Sequence, residues 1–247
     1  MRVLNYLYVI AFTAFISCEK STDSGAAAAN TVGAGGSLSR FTIAGNYLYA
    51  VSSHYLYAVD ISNPALPKKV SESPLNFDME TIYPYKNRLY VGSRTGLYVY
   101  SIDTPDKPVL IGEAKHGRSC DPVVANDTAS YSTLKGSSVC GPATSGLYVY
   151  DVKNVNNPLL KKTILIDEPI GLGIADSALY VCAAAGGLKV FSIKDAYDPA
   201  IRQTLTGANF VDLIPYGDVL ICWVAEGIRL YDISNRLQPV FVKQVAN

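Results

Sequence analysis

"GLYVYSIDTP" occupies residues 96–105, and its first five residues return unchanged at 146–150. The recurrence belongs to a longer period. "LYAVDISNP" (56–64), "LYVYSIDTP" (97–105), "LYVYDVKNV" (147–155), "LKVFSIKDA" (188–196) and "IRLYDISNR" (228–236) share one pattern. Each carries Asp or Ser at its fifth position and a proline seven residues later, at Pro67, Pro108, Pro158, Pro199 and Pro239. A second apolar run precedes each: "YLYAVS" (47–52), "RLYVGS" (88–93), "ASYSTL" (129–134), "ALYVCA" (178–183) and "VLICWV" (219–224). This places Leu48, Leu89, Ser130, Leu179 and Leu220 in one column, at steps of 41, 41, 49 and 41. Self-similarity at such a period is the signature of an array of supersecondary units. The spacing of fifty is one period plus one insertion in the third unit.

Each unit holds four short strand-like runs. In the second they are "ETIYPY" (80–85), "RLYVGS" (88–93), "GLYVYSI" (96–102) and "PVLIGEA" (108–114), separated by turn signals. The fifth-position Asp or Ser is placed to accept hydrogen bonds from the following turn amides. Polarity decides how the meanders assemble. Leu97 and Val99 face one way, and Tyr98, Tyr100 and Ile102 face the other, so both faces of the sheet require burial. Units that cannot bury themselves alone stack on one another. Four-stranded units of this length, stacked radially, make a β-propeller. The expectation is an all-β, five-bladed β-propeller of four-stranded antiparallel blades, over about 39–76, 77–117, 118–167, 168–207 and 208–247. Its ring would close blade against blade, either with no strand exchanged between the ends or with a strand borrowed from 31–38.

These units resemble LVIVD repeats, found in exported bacterial proteins and lipoproteins with a propeller fold. The resemblance covers about 39–247. It implies the architecture and carries no assigned biochemistry.

The N-terminal residues read differently. Arg2 precedes the apolar run "VLNYLYVIAFTAFIS", which is too short for a stable bilayer anchor. It ends in "FISC" at 15–18, which resembles the lipobox of bacterial lipoproteins. That resemblance implies a signal peptide over 1–17, lipidation at Cys18, and an exported, membrane-anchored protein of the outer membrane. The segment 18–38 is small, polar and Gly/Ala-rich, and reads as a flexible tether.

Export permits disulfides. Cys120 lies in the loop leading into the third unit, and Cys140 lies in that unit's insertion. Strand parity puts both at the same end of the blade, and the reading is a Cys120–Cys140 bridge. Cys182 and Cys222 sit on second strands of neighbouring units, in columns one residue apart. They point to opposite sides of their sheets and read as separate buried thiols. No Cys/His spacing suggests zinc.

The loops leading into the blades ring one mouth of the expected channel and collect Asp78, Glu80, Asp121, Glu168 and Asp212, with Arg118 and His116 beside them. Asp78, Glu80, Arg118, Asp121, Glu168 and Asp212 form the candidate ligand-binding set. Lys plus Arg equals Asp plus Glu, and no basic stripe interleaves with aromatics, so nucleic acid is not an expected partner. "GLGIAD" (171–176) lacks the full dinucleotide fingerprint. No catalytic constellation, metal site or cofactor is expected. The reading is a non-enzymatic binding or scaffolding module that presents these upper-face loops, above all the insertion 133–146, to a protein or glycan. The alternative is an enzyme on an extracellular polymer, which needs two mouth carboxylates roughly 5–10 Å apart.

Overall fold

The computed structural model describes residues 35–75, 78–117, 122–136 and 144–246. Cys18, Arg118, Cys120, Asp121 and Cys140 lie outside them, so the lipidation site, the expected disulfide and two of the candidate ligands are not described.

The chain is all-β among the described residues. Five separate four-stranded antiparallel sheets follow one another, each built from four consecutive strands. Blades 1 to 5 hold strands within 41–74, 79–115, 123–165, 172–205 and 210–246. The repeat dictates the detail. Asp60, Asp151 and Asp232 each accept a hydrogen bond through Oδ1 from the backbone N–H two residues on, and Ser101 Oγ does the same for Asp103 N–H. The third and fourth strands slip register at the equivalent point in every blade: Ala58/Val59, Val99/Tyr100, Val149/Tyr150, Val190/Phe191 and Leu230/Tyr231. A bulge recurring at one place bends each outer strand in the same way.

The glycine that opens "GLYVY" has a steric reason. A Cβ on Gly96 would stand 2.6 Å from the Ala114 carbonyl oxygen, and one on Gly146 would stand 2.5 Å from that of Ile164. The outermost strand lies too close for a side chain.

Stacking follows the parity read from the sequence. Tyr98, Tyr100 and Ile102 are buried with blade 1, while Leu97 and Val99 are buried with blade 3. Four such layers exist, between blades 1 and 2, 2 and 3, 3 and 4, and 4 and 5. A recurring strut reinforces three of them. The fully buried Tyr49, Tyr131 and Tyr180 donate hydrogen bonds to the carbonyls of Pro105, Ala196 and Arg236 in the next blade, at 3.0, 2.9 and 2.7 Å.

Two expectations change. Cys182 and Cys222 are both free and buried, as expected, but they share one core layer between blades 4 and 5. Opposite sides of two successive sheets are the two walls of one gap, so the one-column offset brings the thiols into the same layer. Burial pushes the Cys222 thiol up to about 12 and Cys182 well above its ordinary value.

The second change concerns ring closure. Among the described residues, no comparable core layer joins blade 5 to blade 1, and extensive strand contacts run from blade 1 through blade 5. Phe41, whose equivalent in blade 4 is the fully buried Leu172, is 61% exposed. Trp223, whose equivalent is the fully buried Cys182, is 54% exposed. Among the described residues, the array is open on that side. The column of inter-blade tyrosines agrees: Tyr49, Tyr90, Tyr131 and Tyr180 are followed in blade 5 by Ile221.

Candidate functional site

At the mouth ringed by the inter-blade loops, the candidate acids do not converge. Asp78 and Glu80 both meet Arg94, at 3.9 and 3.0 Å, in a cluster within blade 2. Glu168 pairs with Lys135 across blades 3 and 4, at 3.2 Å. Asp212 is held by the chain's own N-terminal segment. Ser37 Oγ–H and Leu38 N–H donate to its two carboxylate oxygens, at 3.1 and 3.4 Å. Burial raises the Asp212 carboxyl above its ordinary range, and the Leu213, Leu38 and Ser37 donors pull it part of the way back.

This corrects the end of the tether. Gly35–Leu38 is seated in the mouth rather than free. Ser37 is buried, and its Oγ also accepts the Leu172 N–H at 2.8 Å. Gly36 approaches so closely that a Cβ there would stand 2.2 Å from Asp212 Oδ2. The narrow central cavity beneath, about 170 Å³, is lined by Gly35, Val124, Leu172, Ile174 and Leu213. Its lining side chains are mostly apolar, and the segment engages both carboxylate oxygens of Asp212. The Nδ1 of His116 lies 2.6 Å from the Gly117 carbonyl oxygen. Among the described residues, no three His, Cys, Asp or Glu side chains gather as metal ligands.

Two other features stand out. The first is the open edge. On blade 5 the outward rows are Trp223–Ile228–Val245 and Ile214–Ile221–Leu230, with Tyr216 and Val219 beyond them. On blade 1 the facing rows are Phe41–Ala50–Tyr57 and Ile43–Leu48–Val59. The Leu38–Asp212 contact ties the inner ends of the two sheets, since Phe41 follows only three residues later, a reach of about 10 Å. The second feature lies at the opposite mouth. A cavity of about 800 Å³ between the lower ends of blades 1 and 2 is lined by Tyr47, Tyr49, Tyr83 and Tyr85 with polar turn residues. The sequence carried signals for both. One was the break in the tyrosine column at Ile221, and the other was the clustering of tyrosines beside the "GN" and "KN" hairpin turns.

The LVIVD repeat family matches residues 35–72. No curated protein matches the chain. Among solved structures, the computationally designed Ika8 protein aligns at TM-score 0.61 and 15% identity, over 83% of this chain and 60% of that one. The periplasmic gluconolactonase PpgL of Pseudomonas aeruginosa aligns at TM-score 0.61 and 11% identity, over 82% of this chain and 68% of that one. BamB from Moraxella catarrhalis aligns at TM-score 0.53 and 11% identity, over 83% and 59%. The chain thus spans about 60% of the length of Ika8 and BamB. Together with the five consecutive sheets, these likenesses show a repeat protein of β-propeller type.

Proposed function

We propose that the chain is an exported, lipid-anchored scaffolding module of the cell envelope that docks a protein at its open edge. The observation that carries this reading is the pair of apolar sheet faces on blades 1 and 5. They are the same kind of surface that holds a neighbouring sheet everywhere else in the molecule. Large apolar patches on a soluble surface mark interaction sites, and an aromatic such as Trp223 is the usual anchor of such contacts. The partner that fits is a protein with an apolar sheet face, since sheets stack about 10 Å apart through interleaved side chains. Export and anchoring rest on the "FISC" stretch at 15–18, and the periplasmic neighbour PpgL is consistent with export.

A photo-crosslinking residue at position 223 or 41, in cells, tests the docking. The expected result is one covalent adduct at both positions, absent from the exposed turn position 66. An adduct at position 66 alone, or at none, would count against it. A Cys18→Ala variant should lose membrane fractionation while the folded domain persists; retention in the membrane would refute the anchor.

The enzyme reading has one supporting observation. Asp78 and Glu80 are close enough to share Arg94. In that arrangement the Arg94 guanidinium sits against both carboxylates. A double Asp78→Asn, Glu80→Gln variant that abolished turnover of an envelope polymer would establish it.

A further inference from the structure

We infer that the cavity between the lower ends of blades 1 and 2 is a binding site for a neutral oligosaccharide. It stands at the mouth opposite the candidate acids and is independent of the open edge.

Three half-buried tyrosines, Tyr47, Tyr83 and Tyr85, line a space of about 800 Å³, within the size range of small-ligand pockets. Their positions follow from the hairpins. Tyr47 opens the second strand of blade 1, and Tyr83 and Tyr85 close the first strand of blade 2. The rings are fixed before any ligand arrives. Tyr47 Oη–H donates to Asp106 Oδ1 at 2.8 Å, and Tyr47 stacks on Tyr49 at 6.3 Å between centroids, with 23° between planes. Tyr49 is in turn held by the Pro105 carbonyl. Lys86 Nζ caps one face of Tyr85 at 5.5 Å. Rings held in place lose little freedom on binding.

The polar lining decides the class of ligand. The one cation of the lining is paired within the protein, while the nearby carboxylates are held by neutral donors. Lys86 pairs with Asp127 at 2.5 Å. Asp103 accepts from Ser101 Oγ at 2.7 Å and from the Asn87 side-chain amide. Asp106 accepts from Tyr47. No unpaired cation is left to select an anion, and the Asp103 carboxylate, held by neutral donors, keeps lone pairs for further hydroxyl donors. What remains is aromatic surface bordered by the carboxamides of Asn46 and Asn87 and the spare lone pairs of Asp103. That combination suits a ligand with apolar C–H faces ringed by hydroxyls. A proline-rich peptide also uses aromatic grooves, but it offers few side groups to match carboxamides and carboxylate.

The test uses the mature chain with cellotetraose, chitotetraose, maltotetraose and hexaproline, titrated by calorimetry to about 10 mM. At least one saccharide should bind. Tyr47→Ala and Tyr85→Ala should each weaken it by about tenfold or more, and Tyr47→Phe, which keeps the ring, should weaken it less than Tyr47→Ala. Asn46→Ala, a change on an exposed turn that cannot unfold the blade, should weaken it measurably. Trp223→Glu should leave it unchanged, separating this site from the open edge. Three results would each overturn the inference: no saccharide binding at that limit, saccharide binding indifferent to Asn46→Ala and Tyr47→Ala, or binding of hexaproline alone.

Discussion

Tyr180 shows at one residue how the blades are joined. Its ring is fully buried between blades 4 and 5, and its hydroxyl ends on the Arg236 carbonyl at 2.7 Å. Removing the hydroxyl leaves that carbonyl short of a partner. Tyr180→Phe is expected to cost about 1 kcal/mol in a denaturant titration, with the slope of the transition unchanged. The turn carboxylates act on another axis. Hydrogen bonds from Ser62 lower the carboxyl of Asp60, and those from Ser234 lower that of Asp232. A carboxyl depressed in the folded state contributes stability above its unfolded value of about 3.9, and that contribution is lost as pH falls through the folded value. The melting temperature should therefore hold from neutrality to mildly acid pH and drop below about pH 4. Asp60→Asn and Asp232→Asn together should flatten that drop. The Asp or Ser before each turn was legible in the sequence because its bond is local. The Tyr180 strut was not read, because its partner lies in another unit.

At the scale of the strand and the blade, period and parity carried most of the structure. The alternation Leu97/Val99 against Tyr98/Tyr100 assigned each residue to its proper inter-blade layer. The opening glycine of the third strand marks where the outermost strand closes in. Gly146→Val should therefore destabilise the protein by more than about 2 kcal/mol, because backbone rather than a flexible side chain occupies the space. An equal change at Gly45, a turn with nothing near its Cβ, should cost less despite its positive φ of 58°. Thermal unfolding of the two variants side by side decides this. The same parity that placed the core also sited Cys182 and Cys222, once each sheet is paired with the sheet behind it. The mouth acids failed for a different reason. Counting carboxylates on loops says where they start, while their partners came from elsewhere: Arg94 from a hairpin, Lys135 from the end of a strand, and Ser37 from a segment read as tether.

At the scale of the whole molecule, repeat counting gives the number of blades but not the angle between them. That angle is set by how much side-chain volume fills each layer, and among the described residues the layer between blades 5 and 1 is unfilled. The apolar residues Phe41 and Ile43 on one side and Trp223 and Tyr216 on the other face solvent among the described residues, and in the proposed reading they are the seat for a protein partner. The chain holds a single tryptophan, and it lies on that edge. Acrylamide quenching of Trp223 fluorescence, at a concentration where the protein is monomeric by light scattering, tests the open edge most directly. An open array predicts a red-shifted emission, quenched nearly as readily as a free indole. A blue-shifted emission protected from acrylamide would mean that blades 5 and 1 meet, and would contradict the account.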